Sequence, residues 1–351
     1  MRGRFQNQNG IQKLCRIRRS ELLAVLLVMA LSGVAGCGKA EKTEPTLEQE
    51  HIESEAQGEA EEGLDSESGY QAILWQGEEY EYNSHLSNFL FLGIDTETIE
   101  ETATGRADAG QADALYLVSY DRVTKELALI SIPRDTMTQI EVFDQEGQSL
   151  GLTEQHISLS YGYGDGKYGS LELAEQAVSK LFYGLPIQSS CAMTLDGITE
   201  LMQQFGEVKL IVPNDSLAEQ YPELQEGAEA VITAENAETS LRWRDTNQTQ
   251  SAIDRMERQQ AFLKAFGEAS AEKYADNPEG ALELYKSLSP YLVTTIGDEW
   301  LLKLAEGYFG GASVEEWTVP GEGVEGNPFD EYRVDDEAFY EKLVETFYEK
   351  G

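Results

Sequence analysis

Arg242, Arg244, Arg255 and Arg258 fall within "SLRWRDTNQTQSAIDRMERQQ", residues 240–260, of a chain that carries 26 Lys and Arg against 64 Asp and Glu. In a molecule with a formal net charge of −38, clustered guanidinium groups need a reason. A guanidinium fork pairs phosphate oxygens bidentately. Arg255 falls in the first turns of a helix that the pattern starts near Ser251, where free backbone N–H groups and the helix dipole also favour an anion. Arg242 and Arg244 stand two apart, so an extended segment would put both on one face and Trp243 on the other. Phosphate or pyrophosphate binding is the chemistry this set suits. Surface salt bridges to the abundant acids are the alternative, and the cluster alone does not separate them.

The same helix carries Arg255, Gln259, Phe262 and Phe266 at i, i+4, i+7 and i+11, one stripe that is polar at its start and aromatic further along. A core-facing stripe is the default reading. A phosphate above a hydrocarbon chain running down the helix has the same polarity, which makes Phe262 and Phe266 candidate lipid contacts.

Three charges mark strand boundaries. Asp95 follows "FLFLGI", Asp113 precedes "ALYLVSY", and Arg134, with Asp135 behind it, follows "LALISIP". The tight link "DRVTK" makes a hairpin of the second and third strands, which puts Asp113 and Arg134 at one sheet edge. If the first strand runs parallel to the third, Asp95 joins them, and ligands of open α/β sheets bind outside strand ends. Two carboxylates there suit a hard divalent cation, Mg²⁺ or Mn²⁺, completed by substrate oxygens. Taken singly, each is better read as a capping or turn carboxylate.

The elements that must position these residues alternate in type. Strands at 88–95, 114–121, 126–133 and 207–213 interleave with helices at 169–185, 194–206 and 251–274. Two further helical runs and an amphipathic C-terminal helix follow. This pattern predicts one layered α/β domain over 70–351, with helices flanking a sheet. The acidic balance repels nucleic-acid backbones and excludes DNA or RNA as a partner.

Ahead of the domain, a basic start and an apolar run from Leu22 to Ala35 have the form of a signal peptide. "VAGC" ends it and resembles a bacterial lipobox. The expectation is a signal peptide over 1–36, lipidation of Cys37, and an acidic disordered tether over 37–69. That places the protein on the outer face of the cytoplasmic membrane of a Gram-positive-type bacterium. Cys191 is then the only internal cysteine, read as a packed thiol.

In order along the chain, "FLFLGID", "GQADALYLVSYDRVTKELALISIPRDTMTQI", "HISLSYGYGDG", "FGEVKLIVP" and "AENAETSLRWRDTNQTQSAIDRMERQQAFLKA" resemble the LytR–CpsA–Psr family of cell-envelope enzymes. The resemblance implies a central mixed β-sheet flanked by helices, with an apolar tunnel for a polyprenyl chain. It implies a phosphotransferase that moves a glycopolymer, such as teichoic acid or polysaccharide, from a polyprenyl-pyrophosphate carrier to a peptidoglycan sugar hydroxyl. On this sequence Asp95 and Asp113 match the metal-associated carboxylates, and Arg134, Arg242, Arg244 and Arg255 match the pyrophosphate arginines. Gln259 matches the family's glutamine. Asp95 or Asp135 would assist loss of the acceptor's proton.

Two positions depart from the family's pattern. Gln111 stands where it usually has an arginine, with Arg106 as a substitute within reach. Ala252 stands where it tends to have an aspartate, with Asp254 nearby. Two other functions fit the same site: a polyprenyl-phosphate-binding lipoprotein without turnover, and an extracellular lipid pyrophosphatase.

Overall fold

The computed structural model describes residues 72–351 except 246–247, 275–277, 310–313 and 327–328. The signal peptide, Cys37 and the tether lie outside the described residues.

Six strands form the central sheet: β1 (Leu86–Ile94), β2 (Ala112–Asp121), β3 (Leu127–Ile132), β4 (Ser189–Met193), β5 (Leu292–Thr294) and β6 (Val314–Thr318). Their order is β5-β4-β1-β2-β3-β6. β2 is antiparallel to both neighbours, β4 pairs parallel with β1, and β6 pairs parallel with β3. The carboxyl ends of β1, β3, β4 and β6 therefore share one edge with the start of β2. This is the arrangement the hairpin argument requires, and it brings Asp95 to the edge of Asp113 and Arg134.

Helices cover both faces. On one lie α2 (Leu195–Phe205), α4 (Ser251–Tyr274), α5 (Pro278–Leu288) and α6 (Asp298–Phe309). They pack on Phe89, Phe91, Tyr116, Val118 and Tyr120 of the sheet. The short α3 (Ala237–Arg242) joins them. On the other face lie α1 (Tyr168–Leu181) and α7 (Asp336–Phe347), over Leu90, Leu92, Leu115, Leu117 and Ile130. All nine residues of β1 are buried, as expected of a strand covered on both faces. Gly206 closes α2 with φ +108° and donates its N–H to the Met202 carbonyl at 2.9 Å, a left-handed end that only glycine adopts cheaply.

Several elements had no counterpart in the sequence reading, among them β4, β5, β6 and the hairpin Met137–Phe143 with Ser149–His156. One expectation is corrected. "SLRWR" is not extended: Arg242 is the last residue of α3 and only Trp243 onward leaves the helix, so Arg242 and Arg244 are separated by a helix end. Leu241 turns into the core there, and its burial stabilises the helical turn over a strand.

Candidate active site

Asp113 is at the centre of the charged cluster, and a β-bulge puts it there. Gly93 pairs with Ala114 and Ile94 with Ala112, which leaves Asp113 as the extra residue of β2. Ala114, Tyr116 and Val118 face α4, whereas Leu115 and Leu117 face α1. Regular alternation would send Asp113 with the leucines. The bulge re-aims it, so that its carboxylate meets α4 instead.

Its two oxygens are shared between two arginines. Arg134 Nη1 donates to Oδ1, and Arg255 Nη1 donates to Oδ2 at 3.3 Å. Arg255 Nη2 adds a 3.5 Å contact to the Asp113 carbonyl. The Asp113 side chain is fully buried and Arg255 is 1% exposed. Arg134 follows the strand-ending Pro133 and fans across the edge. Its Nε donates to Asp135 Oδ1 at 3.0 Å, its Nη2 donates to Gln111 Oε1, and Ser158 Oγ lies 3.5 Å from Nη2. Burial pushes Arg255 down to about 9 and Arg134 down to about 10, values that keep both charged at neutral pH. The charges of Asp95, Asp135 and Arg244 all act on this pair, and that of Arg242 acts on Arg255, so the expected site residues share one electrostatic environment.

Asp95 leaves β1 at the same edge. Its Oδ1 accepts the Gln111 N–H at 2.6 Å, and its own N–H donates to the Gln111 carbonyl at 3.1 Å. Gln111 is thus the link between Asp95 and Arg134, a role the sequence reading missed because it weighed this position only for the arginine it lacks. Gly110 packs beside it with φ +86°, and a Cβ there would come 2.6 Å from Thr96 Cγ2 and 2.8 Å from Asp95 Oδ1. We expect Gly110→Ala to lower stability by about 1–3 kcal/mol. Urea unfolding at constant m measures it, and an unchanged midpoint would show that this turn tolerates a side chain.

The remaining arginines divide. Arg242 pairs with Glu238 one turn back on α3. Arg244 is partly buried, and its Nε has no hydrogen-bond partner among the described residues. A buried guanidinium N–H without an acceptor is costly. Arg258 faces another way: its Nε donates to the Ser240 carbonyl at 2.9 Å, and its other nitrogens donate to Ser216 Oγ and the Trp243 carbonyl. It fixes the exit of α3 and thereby the placement of Arg242 and Arg244. Gln259 is buried and donates to the Leu241 carbonyl at 3.1 Å, so in this state it also braces α3.

The expected substitute for an arginine at position 111 does not fill its gap. Arg106 is exposed and makes no ion pair among the described residues. Asp254 lies beside Glu257 and Arg258, with burial as the main cause of its raised pKa, while Ala252 lines a narrow gap next to Arg134 and Asp135. Phe262 and Phe266 are fully buried below Arg255, with ring centroids 5.8 Å apart, and Phe266 stacks 4.4 Å from Phe205. Cys191 is buried and burial pushes its thiol up to about 12, which makes it the inert packed group expected.

Asp95 and Asp113 carry the oxygen donors that a hard divalent cation takes, but both Asp113 oxygens accept from arginines, so a cation there would have to share them. The described residues hold no group of three or more metal-ligating side chains, so substrate oxygens would have to complete its shell.

A mixed sheet covered on both faces, with a cluster of paired arginines and aspartates at its carboxyl edge, defines a layered α/β protein with its charge gathered at one sheet edge. The chain belongs to the LytR_cpsA_psr family, whose model matches residues 43–346. It is 24% identical over 241 residues to the polyisoprenyl-teichoic acid–peptidoglycan teichoic acid transferase TagU of Halalkalibacterium halodurans, covering 68% of this chain and 71% of that one. It is 30% identical over 128 residues to the transferase of the same description, TagV, of Bacillus subtilis, covering 36% of this chain and 28% of that one. The crystal structure of B. subtilis TagV superposes with a TM-score of 0.55 at 22% identity, over 75% of this chain and 97% of the other. TagT bound to LI-WTA superposes with a TM-score of 0.54 at 19% identity, over 81% and 97%. These likenesses establish the fold as that of the family.

Proposed function

We propose that the chain is a phosphotransferase that moves a glycopolymer, a teichoic acid or related polysaccharide, from a polyprenyl-pyrophosphate carrier to a peptidoglycan sugar hydroxyl. The observation that carries this reading is the grip of Arg134 and Arg255 on one buried carboxylate, Asp113, with the orphaned Nε of Arg244 nearby. Relatives named as teichoic acid transferases support the same substrate class.

The chemistry follows from charge. As the bond to the leaving phosphate breaks, negative charge grows on its oxygens. Preorganised guanidinium groups in a buried site stabilise that charge without reorganising. Asp135 holds Arg134 by its Nε and is committed to that task. Asp95 uses one oxygen on the Gln111 N–H, and the other is the better acceptor for the incoming hydroxyl's proton. Asp95 and Asp113 are the residues that would hold Mg²⁺, which when bound supplies further neutralisation of the pyrophosphate. The carrier's hydrocarbon chain would lie below the phosphates on the Phe262 and Phe266 face of α4, which would have to open for it, because both rings are fully packed. The location outside the cytoplasmic membrane, through a lipid on Cys37, belongs to the same proposal.

The test is to incubate the purified chain with a lipid-linked pyrophosphate sugar, Mg²⁺ and a peptidoglycan acceptor, beside Asp113→Asn. Polymer on the acceptor, absent with the variant, is the expected result. Phosphate release without transfer would make the protein a lipid pyrophosphatase, and tight binding without products a carrier.

A further inference from the structure

A second cleft opens at the same sheet edge, on the other side of Asp95. It has a volume of about 290 Å³ and lies where β1 and β4 end side by side. Liquid water would fill that space with roughly ten molecules, the scale of one sugar unit. Thr96, Thr98, Thr102 and Thr194 line it. Thr194 is only 4% exposed, and its Oγ1 has no hydrogen-bond partner among the described residues. It precedes α2 but does not cap it. A buried hydroxyl left unpaired in a cleft marks a place for a ligand's polar atom.

The charge of the lining selects the ligand. Glu97, Glu100 and Asp108 border the cleft, and no Lys, Arg or His among the described residues does. An anion would be repelled. The first N–H groups of α2 do not offset this, because Leu195 and Asp196 donate to the carbonyls of Thr96 and Glu97 at 2.9 and 3.2 Å. Carboxylates and threonine hydroxyls suit a neutral ligand rich in O–H donors. The cleft also shares a wall with the arginine cluster. Asp108 and Ala109 line it, while the next two residues, Gly110 and Gln111, lie against the Asp95 carboxylate.

We infer that this cleft is the acceptor subsite, binding an uncharged sugar of the acceptor glycan so that its hydroxyl reaches Asp95. The inference rests on the proposed transfer for the identity of the acceptor. It divides the edge by charge: the anionic donor on the arginines, the neutral acceptor on the threonines and acids.

Chitotetraose, a neutral N-acetylglucosamine oligomer, and inorganic pyrophosphate probe the two halves in calorimetric titrations of the whole chain. Thr194→Val keeps the shape and removes the hydroxyl, and should weaken chitotetraose binding about fivefold. Glu100→Trp places a bulky ring from an exposed position and should abolish it. Both variants should keep the parent's pyrophosphate affinity and, in the transfer assay, raise the acceptor KM with the donor KM unmoved. No chitotetraose binding to the parent, or binding that neither variant alters, overturns the inference. If transfer occurs with an acceptor KM that neither variant shifts, the proposed function stands and the inference falls. If chitotetraose binding follows the variants but no transfer is seen, the subsite stands and the transferase reading falls.

Discussion

Asp113→Asn should cut transfer by about a thousandfold and lower stability by about 3–5 kcal/mol. Both effects have one origin. The Asp113 side chain is fully buried and is the shared acceptor of Arg134 and Arg255. Without its charge, two guanidinium groups face each other in a dry site, where repulsion is poorly screened. Urea unfolding measures the stability loss, and assays at low temperature separate it from the loss of turnover. A further measurement tests what the carboxylate does. In metal-free buffer Asp113 competes with the ligand for the arginines, so Asp113→Asn should bind inorganic pyrophosphate at least as tightly as the parent. Turnover and ground-state affinity would then move in opposite directions, the signature of a group that preorganises the site. Equal transfer by parent and variant would remove Asp113 from the machinery.

The sheet edge that gathers these groups was legible because strand direction follows from short links. "DRVTK" allows only a hairpin between β2 and β3, and their pairing of Tyr120 with Leu127 follows from it. The 3.6-residue spacing of Arg255, Gln259, Phe262 and Phe266 likewise survives intact as a buried stripe. What stayed hidden depends on partners distant in the chain. The bulge at Asp113 is a mismatch between β1 and β2, and neither strand's own pattern contains it. The three-residue β5 and the five-residue β4 are too short to show a period, and their pairing spans about a hundred residues. Gln111 looked like a missing cation. In the folded chain its amide oxygen accepts from the cation already present, Arg134, and its backbone binds Asp95. A position without a cation can thus still serve the site by orienting another residue's cation.

Arg255→Lys should reduce transfer by about two to three orders of magnitude, although the charge is kept. Arg255 contacts both Asp113 Oδ2 and the Asp113 carbonyl through two nitrogens. A lysine ammonium is a single, strongly hydrated point that cannot span them and face a phosphate as well. Arg255→Met isolates the charge from the shape. It removes a buried cation while leaving Asp113 paired with Arg134, so it should destabilise less than Asp113→Asn and be as inactive as the lysine variant. The double variant Asp113→Asn, Arg255→Met gives the sharper result. The single Asp113 change leaves Arg255 without its buried carboxylate beside Arg134, which keeps Asp135, whereas the double change removes that buried cation as well. We therefore expect the double variant to be destabilised less than the sum of the two single changes, by a coupling of roughly 1–3 kcal/mol, while transfer stays lost. Additive destabilisation in that cycle would mean that the two groups are not coupled. The buried charges would then have to be explained by packing rather than by the ligand they are held ready to meet.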